Sequence, residues 1–332
     1  MRILGIETSC DETAAAVVEN GTKVLSSVVA SSVALHQKTG GIIPETAARE
    51  QVKYIIPVIE ESLKVSRCKS LKEIDAVAVT VGPGLIGSLL VGVETARALA
   101  YVWQKPIVAI NHLQAHLYAN FLNSKFNPPA GGQNSELFPA IGLVVSGGHT
   151  DLVLMKDHGK IKWLGGTRDD AAGECFDKCS RLLGLSYPGG PAIEAIASKL
   201  KIKNEKLKIL LPRPMMNQKN YDFSFAGLKT AVFHQVSKFT AEQLANEIQE
   251  AIVEVLVTKT IRAAKEYHTR SILLGGGVAA NSLLRQKFKV LPPKNLCSDN
   301  GAVIAASAFF NYRPVSWRKI KANPSLGIDE IV

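Results

Sequence analysis

The sequence predicts a duplicated α/β fold, with two lobes facing each other across a central cleft. Three observations predict it. At 332 residues the chain is long for a single hydrophobic core, so two lobes are expected. A strand-turn-strand-turn-strand unit opens the chain near residue 5 and recurs near residue 142, the mark of an internal duplication. Helix-like stretches alternate with short apolar runs after each unit, as expected when helices cover sheets.

The elements follow in order. Residues 3–7 are a strand, 8–12 a polar turn, 13–19 a second strand, Asn20-Gly21 a tight turn and 23–30 a third strand. Residues 44–63 read as a helix, with Pro44 at its first turn and Glu45 suited to the positive end of its dipole. A buried strand at 74–81 is broken by Gly82-Pro83-Gly84. A helix at 88–101, a strand at 107–110 and a helix carrying His112 come next. Residues 123–137 are polar and rich in Pro and Gly, a surface loop near the lobe boundary. The second unit has strands at 140–145, 150–155 and 161–164, with turns at 146–149 and 157–160. A helix at 170–183, a rigid turn at 188–191, a basic stretch at 199–229 and a long helix at 241–267 follow. A strand at 271–274 runs into Gly275-Gly276-Gly277, a helix starts at Asn281, and a very apolar helix at 301–310 should be buried. The lobes are expected at 1–122, joined by the C-terminal helix 301–325, and at 138–300.

Composition narrows the class. The chain is 46% hydrophobic and 20% charged, ordinary for a soluble globular protein. No apolar run reaches the ~18 residues of a membrane helix. Met1-Arg2 leads into a short apolar strand rather than a secretory signal, so a cytoplasmic protein without membrane contact is expected. Five cysteines, with no Cys-x-x-Cys pair, fit a reducing compartment. Lys plus Arg is 39 against 29 for Asp plus Glu, a net charge of +10 that favours a polyanionic partner such as nucleic acid.

The most informative stretch is Asn111-His112-Leu113-Gln114-Ala115-His116. On a helix, positions four apart share a face, so both imidazoles can reach one metal ion. Asp299 is the chosen third ligand. It could instead cap the last helix, but a metal site here needs an acidic ligand, and two His plus one carboxylate leave open positions for substrate. A zinc protease would carry His-Glu-x-x-His; Leu113 stands where its general base belongs. Ser146-Gly147-Gly148, between two strands, can present backbone N–H groups to a phosphate. Gly275-x-Gly277-x-x-Ala280 matches a dinucleotide fingerprint loosely, but it lies too late in the chain; a base or ribose over Gly276-Gly277 and Asn281 fits better. Asp170, Glu174 and Asp177 line one helix face. Asp170 reads as part of a solvated acidic stripe near the N-cap, and Asp177 as a candidate for ribose hydroxyls.

Taken together these stretches resemble the tRNA threonylcarbamoyladenosine transferase family, long known as O-sialoglycoprotein endopeptidase. The matching segments include Gly5-Ile6-Glu7-Thr8-Ser9-Cys10-Asp11-Glu12-Thr13, Gly40-Gly41-Ile42-Ile43-Pro44-Glu45, Gly82-Pro83-Gly84-Leu85-Ile86-Gly87, Val145-Ser146-Gly147-Gly148-His149-Thr150, Tyr187-Pro188-Gly189-Gly190-Pro191, Phe223-Ser224-Phe225-Ala226-Gly227-Leu228-Lys229 and Gly275-Gly276-Gly277-Val278-Ala279-Ala280-Asn281. They occur in the family's order from residue 3 to about 310. The resemblance implies an actin/sugar-kinase/Hsp70-like (ASKHA) fold and one Fe(2+) or Zn(2+) on His112, His116 and Asp299. It implies threonylcarbamoyl-AMP as substrate, in a site that ATP or AMP can also occupy, bound by Val144, Val145, Ser146, Gly147, Gly148, Asp177, Gly190, Glu194 and Asn281. The acyl group would pass to the exocyclic amine of the adenosine 3′ to the anticodon. Asp11 or Glu12 is the candidate acceptor of the amine proton. Implied partners are tRNA, a shortened paralogue of the same fold, a small P-loop ATPase, and a separate threonylcarbamoyl-AMP synthase as supplier. Three positions depart from the family pattern: Thr39 where an aromatic is expected, Gln51 in place of a His, and Glu194 where Asp is common. A metallopeptidase and a non-catalytic ATP-binding chaperone of the same fold are the competing readings. The missing Glu counts against the first, the His112, His116, Asp299 set against the second.

Overall fold

The computed structural model describes residues 1–68, 70–123, 137–203 and 209–332, with only the backbone for 201–203. In chain order the strands and helices are β1 (Arg2–Glu7), β2 (Glu12–Glu19), β3 (Lys23–Ser31), α1 (Val33–Gln37), α2 (Pro44–Val65), β4 (Ala76–Gly82), α3 (Ile86–Trp103), β5 (Ile107–Asn111) and α4 (His112–Leu117). They continue as β6 (Ala140–Val145), β7 (Thr150–Asp157), β8 (Lys160–Gly166), α5 (Ala172–Leu182), α6 (Gly189–Lys203), α7 (Ala226–Phe233), α8 (Ala241–Glu266), β9 (Ser271–Gly275), α9 (Ser282–Arg285), α10 (Gly301–Phe310) and β10 (Pro314–Val315).

The chain divides into two compact units. The first holds the described residues of Met1–Glu136, Asp157–Ile161 and Pro292–Val332; the second holds those of Leu137–Lys156 and Lys162–Leu291. Residues 292–300, expected with the second lobe, therefore belong to the first unit. The sheet of the first unit has the order β10-β5-β4-β1-β2-β3, and that of the second β8-β7-β6-β9. In each, an opening strand pairs antiparallel with its successor and parallel with a later one: β1 with β2 and β4, β6 with β7 and β9. The repeated strand unit seen in the sequence is thus a repeated sheet topology.

Strand periodicity sorts the first sheet's faces. Leu4, Ile6, Val77 and Val79 pack with Ile55, Val58 and Ile59 of α2 and with Val93 and Ala96 of α3. Gly5 lies on the other face, which takes α10. A Cβ on Gly5 would sit 2.2 Å from Gly301 O, and one on Gly301 would sit 2.5 Å from Gly5 O, so the glycine pair lets helix and strand touch through backbone. Asn300 caps α10, accepting from the Ala302 and Val303 N–H groups at 3.0 and 3.1 Å.

Several expectations need correction. The last helix ends at Phe310, where the apolar run 301–310 puts it, and does not continue to 325, because Pro314 enters a strand that pairs with β5. Residues 189–191 open helix α6 instead of forming a rigid turn. Pro191 falls in the first turn, where its missing N–H costs nothing, and the Asp177 carboxylate accepts from Gly189 N–H at 2.6 Å. Asp170 stands next to the cap of α5, Ala171, but is not part of a solvated stripe: it is largely covered and pairs with Lys178 at 2.6 Å. Short helices α1 and α7 went unread because neither is long enough to show a period. The side chains of Lys201, Lys203, Lys206 and Lys208, and most of the 123–137 loop, lie outside the described residues.

Candidate functional site

The first unit assembles a three-donor group. Asn111 ends β5 and caps α4, accepting from Leu113 and Gln114 N–H at 3.0 and 3.3 Å. That cap starts the helix at His112, so His112 and His116 share one face as their spacing requires. Because Asn300 takes the cap of α10, Asp299 is left to face them, and the capping alternative for Asp299 is excluded. The Nε2 atoms of the two histidines are 3.2 Å apart, and Asp299 Oδ1 lies 3.7 Å from that of His112 and 3.4 Å from that of His116. Donors bonded tetrahedrally to one ion at about 2.0–2.1 Å stand about 3.3 Å from each other. The triangle therefore has the size of a metal-binding face. Both histidines are buried, and Asp299 keeps 19% of its side-chain exposure.

Sequence reasoning missed the group behind this triangle. Glu7 ends β1 on the α10 side, and its buried carboxylate lies 3.0 Å from His112 Nδ1. The β1–β4 register sets Ile3 opposite Ala76 and Gly5 opposite Ala78. Thr80 follows on that face and donates its hydroxyl to Glu7 at 2.6 Å, while Ser9 N–H donates to the other oxygen at 2.5 Å. This carboxylate–histidine pair fixes the ring and turns Nε2 toward the other donors. A carboxylate at the end of an otherwise apolar buried strand was the available signal.

The charges depend on one another. Burial opposes ionisation of Glu7, but His112, Thr80 and Ser9 outweigh it and hold the carboxyl at about 2. Burial likewise opposes charge on His112, but Glu7 and Asp299 raise it to about 9. Burial lifts Asp299 to about 6, His112 working against that and Glu7 and Asp11 with it. Burial, then the charges of Asp299 and Asp11, push Glu12 up to about 10. A Glu12 at that value carries its own proton at neutral pH and cannot accept another. A divalent cation beside Asp299 reverses the field that raises it.

The second unit gathers the other expected residues. Val144 and Val145 end β6, and the Ser146–His149 turn closes with Ser146 N–H donating to His149 O at 2.9 Å and His149 N–H to Ser146 Oγ at 3.1 Å. Gly173, in the first turn of α5, donates to Ser146 O at 3.1 Å, and a Cβ on Gly276 would meet Val145 O at 2.3 Å. These contacts bring the turn, the α5 N-terminus and the Gly275–Gly277 segment together. Gly147, Gly148, Gly190 and Gly277 have open space where a Cβ would stand. Asp177 already holds Gly189 N–H, and burial pushes its carboxyl up. Glu194 lies 3.4 Å from Asn281 Nδ2 and accepts from Ser282 N–H at 3.2 Å. Asn281 also donates to Gln249 at 2.9 Å and caps α9. Gln249 is a second residue the sequence did not flag.

Against known proteins, the family model described as tRNA N6-adenosine threonylcarbamoyltransferase matches residues 23–306. A protein of that name from Dehalococcoides mccartyi (strain ATCC BAA-2100) is 48% identical over 322 residues, 94% of each chain. The chain belongs to the tRNA N6-adenosine threonylcarbamoyltransferase family. Another relative of that name, from Geobacillus kaustophilus, is 47% identical over 344 residues, 98% of this chain and 96% of its own. Among solved structures, component A of the Acidaminococcus fermentans (R)-2-hydroxyglutaryl-CoA dehydratase superposes with a TM-score of 0.53 at 11% identity, covering 93% of this chain and 98% of that one. T. kodakarensis HypF superposes with a TM-score of 0.60 at 15% identity, covering 93% of this chain and 47% of its own. At such identities the likeness concerns the fold alone, which is that of the ASKHA proteins. The threonylcarbamoyltransferase family thus meets the duplicated sheet topology and the His112, His116, Asp299 group in one chain. Among the described residues no helix is long and apolar enough to cross a membrane.

Proposed function

We propose that this family member transfers the threonylcarbamoyl group from threonylcarbamoyl-AMP to the exocyclic amine of the adenosine 3′ to the anticodon, in tRNAs reading codons that start with adenine. The observation that carries the proposal is the His112, His116, Asp299 triangle backed by Glu7 in a chain of this family. The donor is a mixed carbamic–phosphoric anhydride. The amine nitrogen bonds to the carbamoyl carbon, the carbon–oxygen bond to phosphate breaks, and AMP leaves with the bonding electrons. An adenine amine is a poor nucleophile, so its proton needs an acceptor; Asp11 and Glu12 are the candidates, Glu12 only where a cation beside Asp299 would lower it from about 10. Gly147 and Gly148 direct backbone N–H groups at the phosphate from the turn that Ser146 closes, with Val144 and Val145 beneath them. Gly190, Glu194, Asn281 and Asp177 hold the nucleoside. His112, His116 and Asp299 would hold one Fe(2+) or Zn(2+), which when bound supplies Lewis acidity and a fixed positive charge.

The protein acts in the cytoplasm with partners. A shortened paralogue of the same fold docks on α2: of the helical stripe Tyr54, Ile55, Val58, Ile59 and Leu63, all but Tyr54 pack in or against this unit's own core, and Tyr54 with Val52 and Ile56 is left exposed for the partner. A small P-loop ATPase joins them, and a separate synthase supplies the adenylate. The deciding experiment combines metal analysis with nucleoside mass spectrometry of tRNA after incubation with threonine, ATP, bicarbonate and these partners. Modified adenosine should appear, and His112→Ala and Asp299→Ala should lose both the metal and the product. Full metal occupancy in both variants would refute the site.

A further inference from the structure

The turn at residues 8–12 directs alternate carbonyls at one atom. Thr8 O, Cys10 O and Glu12 O lie 3.3, 2.9 and 3.1 Å from Nε2 of Gln51. Gln51 sits on α2 and is 1% exposed. Two N–H groups serve three acceptors, and the reversed amide would set its oxygen against all three, so the orientation is determined. The remaining carbonyls are held from elsewhere. Ser9 O accepts from Leu85 N–H at 2.8 Å, and Asp11 O accepts from Ser32 N–H at 3.1 Å and its hydroxyl at 2.9 Å. Ser88 adds a second donor to Cys10 O at 3.1 Å. Among the described residues Gln51 is thus the side-chain donor to the Thr8 and Glu12 carbonyls, whereas Cys10 O also has Ser88.

The turn has two clients. Its Ser9 hydroxyl lies 3.3 Å from His112 Nδ1, and its N–H holds Glu7. Its other end carries Asp11 and Glu12. We propose that Gln51 is a positioning residue: by gathering the Thr8, Cys10 and Glu12 carbonyls it sets the Asp11 and Glu12 carboxylates against the His112, His116, Asp299 group. The inference rests on the transfer reaction proposed above. The His expected at this position would, when neutral, bring one N–H to the point where Gln51 brings two. Helix α2 itself is anchored by Ile55, Val58 and Ile59 in the core, so its packing does not need the amide.

The test uses the full chain with Gln51→Leu, which removes the donors at similar volume. Gln51→Asn withdraws the amide by one methylene, and Gln51→His restores one N–H. Three quantities are read: amide hydrogen exchange, Co(2+) binding by absorption, and kcat and KM for tRNA threonylcarbamoylation. Gln51→Leu and Gln51→Asn should speed exchange at residues 8–13 by about tenfold or more, leaving β4 and α4 as in the parent. Co(2+) affinity should stay within about threefold, because the three donors lie on other elements and Leu85 N–H still holds Ser9, through which the turn touches Glu7 and His112, while kcat falls by about 100-fold at nearly constant KM. Gln51→His should return kcat to within about tenfold of the parent. Unchanged exchange at 8–13, unchanged kcat, or equal losses of kcat, Co(2+) sites and folded protein would each overturn the proposal. If Gln51→Leu does not fold, the contrast between Gln51→Asn and Gln51→His decides. A parent that transfers nothing to tRNA refutes the reaction, and exchange together with Co(2+) binding still judges Gln51.

Discussion

His112 is held between two carboxylates, Glu7 on Nδ1 and Asp299 near Nε2. With its value raised to about 9, mainly by Glu7 against the pull of burial, the ring carries a proton at neutral pH that an incoming cation must displace. The sign follows. Metal affinity should climb as pH rises toward about 9 and level off above it. Zinc titration calorimetry in buffers of different ionisation heat should show about one proton released per ion near pH 7; release of none would contradict the assignment. Glu7→Gln keeps the shape but loses the charge, and should weaken metal binding by about 10–100-fold in a chelator competition. Binding at parental strength would mean that Glu7 does not support the ligand. The departures at Thr39 and Gln51 differ in reach. Among the described residues the Thr39 hydroxyl reaches the nearby His36 and Gly41 carbonyls, whereas Gln51 reaches three carbonyls of the 8–12 turn.

Elements meet at the site through small residues. Helix α10 lies on β1 through Gly5, Gly301 and Ala305, and Asp299 is set by where that helix begins. A Cβ on Gly301 would stand 2.5 Å from Gly5 O and 2.6 Å from Ala16 N, both backbone atoms that cannot rotate away. Gly301→Ala should therefore cost about 1–3 kcal/mol or more in urea unfolding, and should also weaken metal binding by shifting Asp299. An alanine variant with the parent's midpoint and metal affinity would show that the contact yields easily. Helix α4 shows the opposite economy. Six residues suffice because Asn111 satisfies its first N–H groups, and Gln114 ties it to the Ile328 and Glu330 carbonyls at 2.8 and 3.1 Å.

At the scale of the molecule, the net charge of +10 bears on the size of the substrate. Each phosphate contact releases counterions, so tRNA affinity should fall by about 0.9 log unit per contact per log unit of salt for duplex, and by about 0.7 for single strands. Replacing Lys201, Lys203, Lys206 and Lys208 by Gln should flatten that slope and leave adenylate binding intact. The same tRNA affinity and slope as the parent would move the docking surface elsewhere on the chain or onto a partner.

Local pattern alone was enough for the two strand-turn-strand-turn-strand units, the helix bearing His112 and His116, and the glycine turn at 146–148. Alternation along a strand and four-residue spacing on a helix involve only neighbours in the chain. The His spacing called for a third donor, but nothing in the spacing singled out Asp299 among the acids; the fold brings that one to the histidines. Whether Asp299 or Asn300 caps α10, and whether 189–191 is a turn or the start of a helix, were decided by tertiary structure, because Gly, Pro, Asn and Asp serve both roles. Glu7 behind His112 had only the weak signal of a carboxylate ending an apolar strand, and the partners of Glu7 and of Gln51, which gathers three carbonyls, had none. Each joins segments dozens of residues apart, and only the register of β1 with β4 and the packing of α2 bring such groups within hydrogen-bond distance.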